Sequence, residues 1–456
     1  KKEHKEDMEL IKEVGATSIR LAHYQHDQYF YDLCDREGMV VWAEIPFISI
    51  MSKTELEGIN AKQQMVELIR QNFNHPSIMF WGVQNEIQIG GNRPEVRKLV
   101  RELAELTKKE DPTRLTTQAN VMFVPDNDEY NYMTDIVGYN KYYGWYQGEA
   151  EDFGPWMDGF HATNPNVCLG ISEYGAEGIL QYHSDEPKVK DYTEEYHALY
   201  HEKVWKAFSE RPYLWSTYVW NMFDFGANIR DEGGVQGRNN KGLITYDRKI
   251  KKDAFFMYKA NWSTEKVLHI TSKRYVDRAD EAIKVKIYSN CEEVTLYVNG
   301  KEVVTKTGED HIFLFENVAL QDGLNEVKAV SGDLEDVAIF NKVEEANPSY
   351  VCPESDNGGV VANWFEMPED IGEIVIEELE ITDDVYSTRS TIGELFANPE
   401  TKAVLQKYLN GFSEEHPMYG MAEGMQIDML ASLASDMFTK ELMYLLNRDL
   451  TKIKKA

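Results

Sequence analysis

The sequence is poor in cysteine and lacks any long apolar run. Only 4 of its 456 residues are cysteines, and none of them forms a CxxC pair: Cys34, Cys168, Cys291 and Cys352. This wide spacing argues against a zinc ribbon and against a fold held together by disulfides. No stretch contains the roughly 18 consecutive apolar residues that a transmembrane helix needs, so no membrane insertion is expected.

Basic residues are also scarce. Lys and Arg total 48 against 78 Asp and Glu, which gives a formal net charge of −30. Nucleic acids and anionic membrane surfaces bind basic faces, so neither is an expected partner. No signal peptide is visible, which favours a cytoplasmic location, although a chain that opens at Lys1 also fits a start inside a domain. The sequence leaves open whether the protein forms a homo-oligomer.

The composition is that of a large folded protein. Hydrophobic residues make up 42% and aromatic residues 12%, enough for a sizeable core. At roughly 100–200 residues per domain, the length predicts two to three domains. Changes in pattern along the chain predict the boundaries of three regions: 1–262, 263–345 and 346–456.

The first region alternates short apolar strands with helical stretches. Near-continuous apolar runs are typical of strands buried on both faces, and repeated strand–helix units imply a parallel sheet. The predicted strands are Ser18–His23, Val40–Ile45, Ile78–Gln84, Leu115–Gln118, Ile136–Asn140, Cys168–Ser172 and Leu214–Trp220. The fold class is therefore α/β, a (β/α)8 TIM barrel that lacks its first strand, because a helix precedes the first predicted strand. An open doubly wound sheet of seven strands is the alternative.

The two later regions differ from the first and from each other. Residues 263–345 alternate polar and apolar positions, and Asn299-Gly300 between two such runs predicts a hairpin, so a small β-sandwich is expected. Residues 346–456 hold 20 acidic and 8 basic residues. A strand is predicted at Glu373–Ile381, followed by helices near 391–396, 399–409, 425–435 and 439–452. Thr391 and Glu394 fit a capping box at the start of the first of these helices. A row of methionines from Met418 to Met429 fits a helical core or a soft binding face.

Two carboxylates stand where predicted barrel strands end. Glu86 follows the apolar run before Asn85, and Glu173 follows the strand that ends at Ser172. A buried glutamate is costly unless it is paired, so packing alone does not explain these positions. Glycoside hydrolysis needs two carboxyl groups, one protonated and one ionised. The alternative is that each forms a salt bridge with an arginine at the barrel mouth.

Aromatic residues cluster near the same strand ends. Sugar rings present apolar C–H faces, and aromatic side chains offer them rigid contact area. The aromatic residues in question are Tyr142, Tyr143, Trp145, Tyr146, Trp215, Trp220, Phe223 and Phe225. Trp220 at a strand end is a better site candidate than Trp215 within the strand.

An ordered set of motifs across residues 1–262 resembles glycoside hydrolase family 2, the β-galactosidase/β-glucuronidase family. The motifs are Ile19-Arg20-Leu21-Ala22-His23-Tyr24, Leu33-Cys34-Asp35-Arg36-Glu37-Gly38, His75-Pro76-Ser77-Ile78, Asn85-Glu86, Asn140-Lys141-Tyr142-Tyr143-Gly144-Trp145-Tyr146, Ser172-Glu173-Tyr174-Gly175, Val219-Trp220-Asn221-Met222-Phe223-Asp224-Phe225, Asn239-Asn240-Lys241-Gly242-Leu243 and Asp247-Arg248. The resemblance also implies barrel strand one, a jelly-roll domain and an immunoglobulin-like domain upstream, and an immunoglobulin-like module at 263–345.

The resemblance implies a role for each matching residue. Glu86 matches the acid/base and Glu173 the nucleophile of a retaining mechanism. Asn85 matches the residue that binds the sugar 2-hydroxyl, and Arg20 matches an arginine that helps to keep the nucleophile ionised. The pocket-lining positions are His23, Tyr142 and Trp220. The implied partner is a carbohydrate with a terminal β-linked sugar.

The identity of the sugar depends on one short motif. Asn239 and Lys241 resemble the Asn-x-Lys motif with which β-glucuronidases hold the sugar carboxylate. Ile87 stands where glucuronidases usually have Pro, and Gly234-Val235-Gln236 lacks an Arg found in some of them. A β-galactosidase is therefore the first hypothesis and a β-glucuronidase the alternative. An inactive barrel that only binds carbohydrate or serves as a scaffold is a third. No metal or cofactor is assigned, because the ligands of magnesium-dependent relatives have no match.

Overall fold

The structure is a computed structural model. It describes residues 1–353 apart from 53 and 92, the single positions 376 and 379, and residues 381–409, 413–414, 419–433 and 438–455. Among these residues, no helix combines the length and apolarity that crossing a lipid bilayer requires. The four cysteines are all free thiols.

A seven-stranded parallel sheet forms the centre of the first region, with its strands in chain order. The strands are β1 (Ser18–Leu21), β2 (Val40–Glu44), β3 (Ile78–Asn85), β4 (Leu115–Asn120), β5 (Val137–Asn140), β6 (Leu169–Tyr174) and β7 (Thr217–Val219). The Ser18 and Tyr218 hydroxyls hydrogen-bond at 2.8 Å across the gap between the first and last strands. The sheet is thus a nearly closed barrel, as the sequence predicts, and the open doubly wound alternative is not what forms.

Helices surround this sheet and bury their apolar faces against it. They are α1 (Lys2–Glu13), α2 (Gln28–Glu37), α3 (Glu55–Asn72), α4 (Pro94–Glu110), α5 (Phe153–Thr163), α6 (Glu194–Ser209) and α7 (Asp253–Trp262). Their ends follow from local chemistry. The Asp27 side chain caps the start of α2, and Gly38 ends that helix in the left-handed conformation with φ 71°. Between β7 and α7 lies a hairpin of β8 (Phe225–Glu232) and β9 (Val235–Asn239).

The barrel interior is filled by large side chains at one end and polar ones at the other. A cluster of Trp42, Ala119 and Tyr218, with Phe80 and Trp215 against it, fills the apolar end. Parallel strands bring their carboxyl ends to one rim, and the polar side chains lie there. The rim therefore holds the candidate site.

The second region is a β-sandwich, as the pattern of residues 263–345 predicts. A sheet in the order β10-β12-β15 faces a sheet in the order β11-β17-β16-β13-β14, and the two share one apolar core. The strands are β10 (Leu268–Ile270), β11 (Asp277–Arg278), β12 (Ala282–Ser289), β13 (Glu293–Val298), β14 (Lys301–Thr307), β15 (Ile312–Ala319), β16 (Gly323–Ser331) and β17 (Leu334–Lys342). Asn299 and Gly300, both at positive φ, form the predicted turn between β13 and β14.

The third region ends in short helices around their own apolar core. They are α8 (Ile392–Ala397), α9 (Pro399–Tyr408), α10 (Tyr419–Ala422), α11 (Ile427–Leu433) and α12 (Lys440–Leu450). The predicted capping box of Thr391 and Glu394 is present. Met425 is buried in this core, as the helical-core hypothesis predicts, whereas Met418 and almost all of Glu373–Ile381 lie outside the described residues. We call the described residues between 381 and 455 the C-terminal helical unit.

Candidate active site

The two predicted carboxylates lie at the same rim of the barrel. Glu86 directly follows β3, and Glu173 is near the end of β6, where it pairs in register with Asn140 of β5. Glu173 is buried with 5% exposure, and Glu86 is partly buried. Because all the strands run in parallel, these positions face one shared cavity.

Glu173 is held by two donors. The Arg20 guanidinium donates through Nη1 to Oε1 at 2.8 Å, and the Tyr142 hydroxyl donates to Oε2 at 2.8 Å. Burial and the nearby glutamates raise the pKa of Tyr142 well above its usual value, so this hydroxyl keeps its proton to donate. Both buried oxygens of Glu173 are thereby fixed, Oε1 by a charged hydrogen bond and Oε2 by a neutral one.

Arg20 connects Glu173 with two other polar residues of the rim. Its Nε and Nη2 donate to the two oxygens of Glu44 at 3.0 and 2.9 Å, and its Nη2 also donates to Asn85 Oδ1 at 2.8 Å. Burial alone would raise the pKa of Glu44, but the charge of Arg20 and the hydrogen bond of His23 lower it below the usual range. The ionised Glu44 thus holds the fork of Arg20 in one orientation.

The orientation of the Asn85 amide is set by its neighbours. Its Oδ1 accepts from Arg20 and, at 3.0 Å, from Asn140 Nδ2. The carbonyl side is therefore occupied, and the amide nitrogen is left to donate toward the cavity. A hydroxyl of a bound ligand would be a suitable acceptor.

Glu86 occupies a different environment from Glu173. Its backbone is left-handed, with φ 50°, and its N–H donates to the Ala119 carbonyl at 2.9 Å. Burial, and next the negative charge of Glu173, raise the pKa of Glu86 to about 7. The rim therefore holds one carboxyl group that keeps its proton up to a pH of about 7 beside another that is fixed by a guanidinium, the division that acid and nucleophile need.

Two rings line the cavity beside the carboxylates. His23 and Trp220 stack with their centroids 5.2 Å apart and an interplanar angle of 23°. His23 Nδ1 lies 2.9 Å from Glu44, and Phe225 meets Trp220 edge-on. The rings thus present a rigid aromatic surface beside the hydrogen-bonded polar side chains of the rim.

A second cationic group lies at the edge of the same cavity. Lys241 donates to Glu177 at 2.6 Å and to the Tyr146 hydroxyl at 3.0 Å, and its side chain is 1% exposed. Burial by itself would lower the pKa of Lys241, but the charge of Glu177 raises it, so the ammonium is retained. Arg230 of β8 donates to the same Tyr146 hydroxyl at 3.2 Å and to Glu232 at 2.8 Å.

This group is continuous with the carboxylate pair. The rings of Tyr142 and Tyr146 lie 5.1 Å apart, and Gly175, two residues after Glu173, lies beside the Lys241 side chain. Asn239 is buried next to it, and its Nδ2 finds no partner among the described residues. The structure thus brings together all nine residues to which the family resemblance gives a site role: Arg20, His23, Asn85, Glu86, Tyr142, Glu173, Trp220, Asn239 and Lys241.

Three neighbours of the candidate site are not among the residues that the sequence singles out, and a fourth is noted there only for its ring. Glu44 ends β2 as Glu86 follows β3, so the strand-end rule could have found it. Glu177 also follows a strand closely, four residues after Glu173. Arg230 gives no signal, because the β8–β9 hairpin sets its position. Tyr146 was counted among the aromatic residues, but its hydroxyl joins Lys241 to Arg230.

One group of potential metal ligands occurs among the described residues, away from this rim. It comprises Asp32, Asp35 and His75. Asp35 already accepts hydrogen bonds from His75 at 2.6 Å and from the Ser77 backbone at 3.0 Å, so its oxygens have protein partners. These contacts explain the group as a link between α2 and the start of β3.

Comparison with known proteins identifies a family whose barrel domain matches this chain. The family model described as glycosyl hydrolases family 2, TIM barrel domain, matches residues 1–267, and a domain of unknown function (DUF4982) matches residues 280–335. A β-glucuronidase of Bacteroides fragilis is 39% identical over 342 residues, which cover 72% of this chain and 48% of that protein.

Two solved structures share the fold at substantial identity. An FMN-binding β-glucuronidase from Faecalibacterium prausnitzii L2-6 is 51% identical with a TM-score of 0.76, over 77% of this chain and 54% of that one. A Bacteroides fragilis protein provisionally named as a β-galactosidase is 39% identical with a TM-score of 0.71, over 76% of this chain and 52% of that one. The chain spans about half the length of the relatives it matches.

Proposed function

Because the chain belongs to glycosyl hydrolase family 2, we propose that the protein is a retaining glycosidase that cleaves terminal β-glucuronides. One observation carries the choice of sugar. Lys241, Arg230 and Asn239 converge at the rim, beside the two carboxylates of the cavity. Paired cationic and amide donors suit a carboxylate, which a glucuronide carries and a galactoside lacks.

The donors at this edge are not all used by the protein. An ammonium has three N–H groups, and Lys241 engages Glu177 and the Tyr146 hydroxyl. A guanidinium has five, and the side-chain contacts of Arg230 to Tyr146 and Glu232 both come from Nη1. The Asn239 amide oxygen accepts from the Lys241 backbone, but its nitrogen has no partner among the described residues, so the edge retains donors for the two oxygens of a sugar carboxylate.

The names of the relatives point the same way. The Bacteroides fragilis and Faecalibacterium prausnitzii relatives are named β-glucuronidases, and the provisional β-galactosidase name belongs to one solved structure among those compared. This support reverses the preference for galactosides that the sequence alone suggested. Ile87 in place of proline weighed against glucuronides there, but it lies in the turn after Glu86 and not at the Lys241 edge.

The proposed mechanism uses the two carboxyl groups in different protonation states. The Glu173 carboxylate attacks the anomeric carbon while the Glu86 carboxyl protonates the leaving oxygen, which yields a covalent glycosyl–enzyme. Glu86, now ionised, then deprotonates a water that displaces Glu173 from the sugar. A retaining pair needs a separation of about 5–5.5 Å. The charge of Glu173 helps to raise the pKa of Glu86, so the two carboxyl groups interact electrostatically.

The choice of sugar is tested with nitrophenyl glycosides. We expect the protein to prefer nitrophenyl β-glucuronide to the β-galactoside. Lys241→Ala should cost about 2–5 kcal/mol in kcat/KM on the glucuronide, since one partner of a buried charge pair is removed. If the protein hydrolyses the galactoside, the same substitution should lower kcat/KM on it by less than about tenfold, which corresponds to about 1.4 kcal/mol. The measurement is the ratio of kcat/KM for the two substrates in each variant.

Lys249→Ala is the matched control, because Lys249 lies in the same segment with a side chain 77% exposed. It should leave the ratio unchanged. A wild-type preference for the galactoside would contradict the glucuronide assignment and support the β-galactosidase hypothesis instead. Hydrolysis of neither glycoside, with binding retained, would favour the carbohydrate-binding scaffold.

The raised pKa of Glu86 predicts the pH dependence. The acid must carry its proton in the free enzyme, so kcat/KM should be high below the pKa of about 7 and fall as the pH rises through it. Glu86→Gln should remove this alkaline limb, because an amide does not titrate. A limb that persists unchanged in Glu86→Gln would assign it to another group.

A further inference from the structure

The C-terminal helical unit contacts the barrel at the turn that follows Glu86. This turn is a short 3-10 helix, Ile87–Gly90. A Cβ atom added at Gly91 would lie 2.8 Å from the Gly424 carbonyl oxygen, so the two backbones touch without side chains between them. The Ile89 side chain packs against both the barrel core and the core of the C-terminal helical unit.

The backbone at Glu86 needs support from its surroundings. Its φ of 50° is left-handed, a conformation that costs residues other than glycine roughly 1–2 kcal/mol. The Glu86 carbonyl accepts from Ile89 N–H at 2.9 Å, and the next N–H, of Ile87, donates to Gln84 Oε1 at 3.0 Å. The direction of the Glu86 side chain therefore depends on where this turn lies.

The turn is held from two sides. On the barrel side, Gly90 N–H donates to the Ser49 carbonyl at 2.8 Å, and Gly90 packs on Ile50. On the other side lies Gly424, between α10 and α11. A Cβ atom added at Gly424 would collide with the Gly90 carbonyl. Since that obstacle is backbone and not a flexible side chain, the turn or the helical unit would have to move.

We infer that the C-terminal helical unit positions the acid/base, and that Gly424 is a positioning residue for Glu86. The inference rests on the proposed acid/base role of Glu86. Glu173 is fixed by Arg20 and Tyr142, which belong to β1 and to the segment after β5. Movement of the turn should therefore impair protonation of the leaving group and leave the nucleophile intact.

The test compares Gly424→Ala with Gly420→Ala in the complete protein. Gly420 lies in the same helical unit, is exposed and has nothing within 4 Å of an added Cβ, so it is a matched control. In Gly424→Ala, kcat/KM on phenyl β-glucuronide should fall about tenfold or more, because acid catalysis contributes about 10²–10⁴-fold and depends on reach. On 2,4-dinitrophenyl β-glucuronide, whose leaving group needs no proton, it should fall less than about twofold. Gly420→Ala should match the wild type on both.

Azide provides an independent readout. It can release the glycosyl–enzyme without a general base, so it should accelerate 2,4-dinitrophenyl glucuronide turnover by Gly424→Ala but not by Gly420→Ala. Ile89→Ala, which removes the shared contact without adding bulk, should show the same selectivity if Gly424→Ala folds poorly. Equal losses on the two substrates, or no loss in either variant, would overturn the positioning role. If Glu86→Ala itself shows no leaving-group selectivity, the acid/base assignment and this inference both fail.

Discussion

Glu173→Gln is expected to abolish glucuronide hydrolysis, with a loss on the order of 10⁴–10⁶-fold in kcat, the scale seen when an enzyme loses its covalent nucleophile. An amide oxygen is a poor nucleophile, whereas the shape of the side chain is kept. The rim should stay folded, because Arg20 retains both of its hydrogen bonds to Glu44. The measurement is turnover of nitrophenyl glucuronide together with covalent labelling by a 2-fluoro glucuronide, which should disappear.

Glu210→Gln serves as the control, since its side chain is 60% exposed and lies beyond the end of α6. It should be labelled and should turn over substrate like the wild type. Mass spectrometry of the labelled wild type should place the sugar on the peptide that contains residue 173. A label on any other peptide would refute the nucleophile assignment.

The barrel could be predicted from the sequence because its signal is local. Each predicted strand has a counterpart in the sheet, and the bounds differ by a few residues at most. The largest difference is in the last strand, predicted from Leu214 and observed from Thr217. Runs of apolar residues buried on both faces leave little ambiguity, and the starts of the barrel helices follow from caps such as Asp27 and Thr193.

The candidate site was only partly accessible from the sequence. The rule that polar groups at strand ends face the cavity found Glu86 and Glu173, and it applies equally to Glu44, whose role as partner of Arg20 appears only in the structure. Arg230 could not be predicted in this way. It reaches Tyr146 across a separation of 84 residues, a contact that depends on how the β8–β9 hairpin folds over the rim.

The same limit applies to the C-terminal helical unit. Its capping box and helices are local features and were predicted, but nothing near Gly424 in the sequence indicates a contact with Gly91. Such backbone contacts depend on the packing of distant segments. Glu86, the proposed acid/base, could therefore be named from its strand, whereas the element that contacts its turn could not.

Glu86→Ala is expected to separate substrates by their leaving groups. Hydrolysis of phenyl β-glucuronide should fall about 10²–10⁴-fold in kcat/KM, because the departing phenoxide would leave without a proton. Hydrolysis of 2,4-dinitrophenyl β-glucuronide should change little in kcat/KM, since that anion is stable, although its turnover should become limited by release of the glycosyl–enzyme. Azide should restore this turnover and give a glycosyl azide, because it attacks without the general base that Glu86 is proposed to supply in the wild type. Glu105→Ala on α4, away from the rim, is the control and should show neither effect. Equal losses on the two substrates, or turnover that azide leaves unchanged, would show that the group with the raised pKa is not the one that protonates the leaving oxygen.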